Sequence, residues 1–123
     1  MGWSIDGRIP VGIALDRPAL DRALAEGPAA AVLAEAGGPS PPPAAMAVVE
    51  FAATTPHALG CACCAGRPPV AVALDELFQA RVRGRCGWFK RVLVLARTPA
   101  GREAVDSALA GDALTAARFR ATG

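Results

Sequence analysis

The run Arg91-Val92-Leu93-Val94-Leu95-Ala96 does most to constrain what this chain can fold into. A strand with one wet face alternates apolar and polar residues, because successive side chains point to opposite sides of the sheet. Between Arg91 and Arg97 there is no alternation at all, only β-branched, leucine and alanine residues. A strand of that kind is buried on both faces, the usual condition of a parallel sheet with helices above and below. Thr98-Pro99 follows at once and has the form of a helix start, with Thr98 as N-cap and Pro99 at the first helical position. The helix carries Val105, Ala108 and Leu109 inward and stops at Gly111.

Similar units precede it. Arg8 to Leu15 alternates, with Ile9, Val11, Ile13 and Leu15 on one side, and reads as a short strand. Asp16 caps a helix that Pro18 suits in its first turn, Leu20, Ala23 and Leu24 line, and Gly27-Pro28 ends. Ala29 to Ala34 reads as a second, buried strand, although its alanines also fit a helix. Gly37 to Pro43 holds four prolines in seven residues and can sustain neither helix nor ladder. Neither flank is long enough for a second domain, so residues 1–123 form one domain with a proline-rich surface loop at 37–43.

Met46 to Phe51 is the next strand. A helix follows from about Val70 to Arg83, with Val70, Leu74, Leu77, Phe78 and Arg81 on one stripe and Gly84 ending it. Asp112 caps a last short helix through Phe119. The order β-α-β-β-α-β-α predicts an α/β fold: a small, mainly parallel, open sheet covered by helices. It does not fix the strand order.

Between the third strand and the helix at Val70 lies Gly60-Cys61-Ala62-Cys63-Cys64, with His57 four residues before the first cysteine. Thiolates are soft ligands suited to zinc, copper(I) and iron–sulfur clusters. Cys61 and Cys63 share a side of an extended segment, and Cys64 joins them if the chain turns there. Such a run supplies two or three ligands, and His57, Cys86, Glu50 or water are candidates for the rest. An isolated cysteine is most often a small buried hydrophobe, but three in four positions favour chemistry. A Cys61–Cys64 dithiol is the redox alternative, although no helix start like that of a thioredoxin site is evident.

Charge and composition exclude more than they assign. A net charge of +2 gives no electrostatic argument for a partner, and twelve of the thirteen basic residues are arginine. Arg81, Arg83, Arg85, Lys90 and Arg91 form a basic stretch with only Trp88 and Phe89 interleaved, which reads as a solvated helix end; no nucleic acid is expected. No stretch approaches the roughly 18 apolar residues of a membrane span, and Met1 to Ile9 has no signal-peptide pattern. The expectation is a cytoplasmic protein without a membrane partner, where clustered cysteines bind metal or exchange electrons sooner than they form structural disulfides.

Val48-Val49-Glu50-Phe51 followed by Gly60-Cys61-Ala62-Cys63-Cys64 resembles the strand and GCxCC motif of the CobW-like P-loop GTPases, metallochaperone-type proteins of cobalt and zinc delivery. Ala73 to Leu77 with Arg91 to Val94, Thr98-Pro99, Ala104-Val105 with Leu109, Ala116 to Arg120, and Arg8 to Val11 look like further segments of that family. The likeness spans about two thirds of the chain, and only GCxCC is specific to the family. It implies a truncated P-loop GTPase domain with a zinc or cobalt site at Cys61, Cys63 and Cys64.

The phosphate loop itself is missing: the first strand runs into Leu15-Asp16-Arg17-Pro18, with no G-x-x-x-x-G-K-[ST]. The guanine-reading Asn-Lys-x-Asp is missing too, for the chain has no asparagine. GTP binding is therefore not expected. The expectation is a metal-binding protein, not an enzyme, acting as carrier, sensor or accessory. The rivals are a non-catalytic interaction domain with vestigial cysteines and a thiol redox protein. An open sheet edge would suit a protein partner or a homodimer.

Overall fold

A computed structural model describes residues 7–37, 45–52 and 68–122. The described elements are β1 (Ile9–Ala14), α1 (Arg17–Ala25), β2 (Ala30–Glu35), β3 (Val48–Phe51), α2 (Pro69–Val82), β4 (Arg91–Leu95), α3 (Pro99–Gly111), α4 (Ala113–Arg118) and β5 (Phe119–Ala121). The five strands form one sheet in the order β3-β2-β4-β1-β5, and every pairing is parallel. The fold is α/β with an open parallel sheet, as the alternation of elements predicts.

β4 is the central strand, paired with β2 on one side and β1 on the other. Its unbroken apolar run follows from that position. Val92, Val94 and Ala96 enter the larger core, beneath Val70, Leu74 and Leu77 of α2 and Val105 and Ala108 of α3. Leu93 and Leu95 point to the opposite face, against Leu20 of α1. One nine-residue helix thus covers one face, while α2, α3 and α4 share the other.

The helix ends follow the capping chemistry of their sequences. Asp16 accepts the Ala19 amide at 2.8 Å, Thr98 the Gly101 amide at 3.0 Å, and Asp112 the Thr115 amide at 3.0 Å. At the end of α2 Gly84 adopts φ +70°, and the Arg85 and Gly84 amides return to the Ala80 and Arg81 carbonyls. This is a Schellman ending, for which glycine is the favoured residue. α1 ends differently. The Arg91 guanidinium reaches from the start of β4 to the carbonyls of Ala23 and Pro28, at 2.6 and 3.0 Å.

Three expectations are corrected. Phe119 does not end the last helix; it opens β5, which pairs with β1 through Ile9 and is buried against Phe78. Ile13 and Leu15 do not share the core with Ile9 and Val11. Both are exposed, Ile13 at 36% and Leu15 at 55%. The basic stretch is only partly solvated, because Arg91 caps α1 and Arg81 stacks on Trp88. Among the described residues no helix is long and apolar enough to cross a membrane.

Candidate functional site

In an open parallel sheet, ligands bind beyond the carboxyl ends of the strands, where the chain departs in opposite directions from two neighbouring strands. Here those neighbours are β1 and β4: the chain leaves β1 toward β2 and leaves β4 toward β5. Beyond them lies a pocket of about 190 Å³ lined by Leu15, Ala96, Arg97, Thr98, Pro99 and Arg102. Two of these six residues are arginine, and the Arg97 guanidinium donates to the Ala36 carbonyl at 3.3 Å. β1 passes to α1 through Leu15 and Asp16 alone, and the Asp16 carboxylate occupies the first turn of α1.

Beside this pocket stands an acidic residue that sequence reasoning missed. Glu35 ends β2, is 6% exposed, and accepts the Arg97 amide at 2.8 Å, the Thr98 amide at 3.1 Å and the Thr98 hydroxyl at 2.7 Å. Burial alone would raise its pKa. The Thr98 hydroxyl, the two amides and the Arg97 charge outweigh that cost and hold it below the ordinary 4.5. With three hydrogen bonds from Arg97 and Thr98 at the start of α3, Glu35 is a brace between β2 and α3. The signal that could have found it is a carboxylate closing an all-apolar strand one register from β4.

The sequence-derived ligand candidates divide. His57, Cys61, Cys63 and Cys64 lie outside the described residues, on the connection from β3 to α2. Glu50 is exposed on β3, just before that connection begins. Cys86 is half-buried in the turn after α2. α2 returns between the parallel strands β3 and β4, so its first turn lies toward their carboxyl ends and Cys86 toward their amino ends. Fourteen residues of helix, about 21 Å at 1.5 Å each, separate Cys86 from the start of α2. Among the described residues no three His, Cys, Asp or Glu side chains are grouped as metal ligands.

Around Cys86 the structure assembles a different set. The Arg81 guanidinium stacks 3.8 Å from the Trp88 ring centre and 5.4 Å from that of Phe89. Burial pulls the pKa of Arg81 down, with Cys86 acting in the opposite sense. Cys86 also lines an open cleft of about 580 Å³ between β3 and α2. No family model, curated protein or solved structure matches the chain.

Proposed function

We propose that the chain is a thiolate metal-binding protein for zinc or cobalt, of CobW-like type and without GTPase activity, acting as carrier, sensor or accessory. The observation that carries the reading is the spacing of Cys61, Cys63 and Cys64 on the connection between β3 and α2. Three soft donors in four positions suit zinc or cobalt far better than a hard cation. The position of the connection adds support: it leaves the carboxyl end of a strand in a parallel sheet, the edge where such folds hold their ligands. Glu50 is the described oxygen donor that precedes the connection on β3, and His57 is the nitrogen donor within the connection.

The end of β1 is unsuited to nucleotide phosphates for a physical reason. Phosphate binding at a helix N-terminus needs free amides and a loop that wraps the anion. The two-residue turn at Leu15-Asp16 provides no such loop, and the Asp16 carboxylate already accepts an α1 amide. Metal analysis of protein purified without an affinity tag tests the proposal. About one equivalent of zinc or cobalt, lost in Cys63→Ser, is the expected outcome. Metal-free protein whose stability is unchanged by Cys63→Ser overturns it. Rapid reversible oxidation of Cys61 and Cys64 in metal-free protein would assign the cysteines to redox chemistry instead.

A further inference from the structure

β3 is an edge strand, and its register shows which of its peptide groups lack a partner. Val32 donates its amide to Ala47 and Ala36 donates its amide to Phe51, so the odd-numbered residues of β3 bond to β2. Peptide groups alternate in direction along a strand. The N–H and C=O of Val48 and Glu50 therefore face the outer edge, where no described strand lies. Two donors and two acceptors in a row are a template for one more strand.

The space beside that edge is shaped and charged. The cleft of about 580 Å³ has Met46 to Val49 as one wall and the outer face of α2 as the other. Along α2, Glu76, Gln79 and Arg83 line it in helical succession, and Arg85 extends the wall past the helix end. The direction is fixed by packing: a β-carbon at Gly87, just after this turn, would come within 2.6 Å of Met46 Sδ. The Arg83–Arg85 end of the cleft thus lies at the start of β3, and Glu76 lies further along. Arg83, Arg85 and Glu76 make no ion pair among the described residues, whereas Asp75 is taken by Arg118.

We infer that the cleft between β3 and α2 binds an extended peptide of another protein, added antiparallel to β3, with an acidic C-terminal end. The antiparallel direction follows from the charges. A strand running opposite to β3 brings its C-terminal end to Arg83 and Arg85 and its amino-terminal portion past Glu76. The parallel direction would set a carboxylate near Glu76 and leave both arginines facing the peptide's amino end. Main-chain bonds to Val48 and Glu50 supply the affinity, and the two arginines select the acidic terminus. The inference uses no cysteine of the 61–64 run, so it stands or falls apart from the metal reading.

The test uses the full chain in EDTA and a fluorescein-labelled hexapeptide of alternating valine and threonine. The peptide carries lysine next to the label and aspartate with a free carboxylate at its end. Fluorescence anisotropy is expected to report saturable binding that weakens by about tenfold or more in Arg83→Glu/Arg85→Glu. Both substitutions are on exposed residues, and unchanged circular dichroism confirms that the variant is folded. N-methylation of alternate peptide amides should abolish binding in one register and spare it in the other. No anisotropy change up to about 1 mM peptide would overturn the inference. So would binding that ignores N-methylation in both registers, a preference for the C-terminally amidated lysine-ended peptide, or self-association of the chain that these two substitutions dissolve.

Discussion

Glu35 and Gly101 are in direct apposition: a β-carbon built on Gly101 would overlap Glu35 Oε1. Gly101 stands in the first turn of α3, and its missing side chain is what lets the carboxylate reach the Arg97 and Thr98 amides. A helical glycine is ordinarily about 1 kcal/mol worse than alanine. Here the sign reverses. Gly101→Ala should lower unfolding free energy by about 1–3 kcal/mol, because the contact is with a buried carboxylate held by three hydrogen bonds. Gly111→Ala, where an added β-carbon meets nothing within 4 Å, is the control and should be neutral or stabilising. Urea unfolding followed by circular dichroism measures both.

The same brace makes stability depend on pH in a stated direction. The Glu35 pKa in the folded protein lies below its ordinary 4.5, held there by the Thr98 hydroxyl, the amides and Arg97 against the cost of burial. A carboxylate depressed in this way contributes stability above its unfolded pKa and loses it as the pH falls through the folded value. Urea midpoints should therefore be steady from about pH 7 to 5 and decline below about 4.5. Glu35→Gln should be less stable at neutral pH and show a shallower decline in acid. An identical acid slope in the variant would assign the decline to other carboxylates.

How much was legible in the sequence follows from how local each signal is. Asp16, Thr98, Gly84 and Gly111 mark helix boundaries by chemistry confined to a turn, and all four lie within two residues of the ends they announce. Val92 to Leu95 announced a central strand, because burial on both faces leaves no polar position. β5 was not legible. Three residues after Arg118 carry no period of their own, and Phe119 becomes a strand only because Ile9 of β1 lies beside it. Glu35 was missed for the same reason: its partners are more than sixty positions away in sequence. Of the site, the cysteine spacing is sequence information, while the cleft beside β3 exists only once α2 folds back on the edge strand.

Phe119 tests how much that short strand matters. It is 1% exposed, meets Phe78 edge-to-face at 6.3 Å between ring centres, and leads to Thr122, whose amide bonds to the Val11 carbonyl. Phe119→Ala should cost about 3–5 kcal/mol, in the range for removing a buried aromatic ring. Leu114→Ala, on the exposed side of α4, should change stability by no more than about 0.5 kcal/mol. Equal effects in the two variants would mean that β5 adds nothing to the core.

Arg91 offers the sharpest contrast between lysine and arginine. Its Nη2 donates to the Ala23 carbonyl at 2.6 Å, which the end of α1 leaves open, and its Nε to the Pro28 carbonyl at 3.0 Å in the turn that follows. Gly27, at φ +126°, packs so close that a β-carbon there would lie 3.2 Å from the guanidinium. An ammonium is a point donor and cannot span carbonyls separated in this way. Arg91→Lys should therefore keep the charge and still lose about 1–2 kcal/mol, with Arg91→Ala losing slightly more. Amide hydrogen exchange locates the damage: protection should fall in α1 and at the start of β2, while α3 keeps its own. A loss spread evenly over the chain, or a lysine variant as stable as the parent, would show that charge alone holds the end of α1.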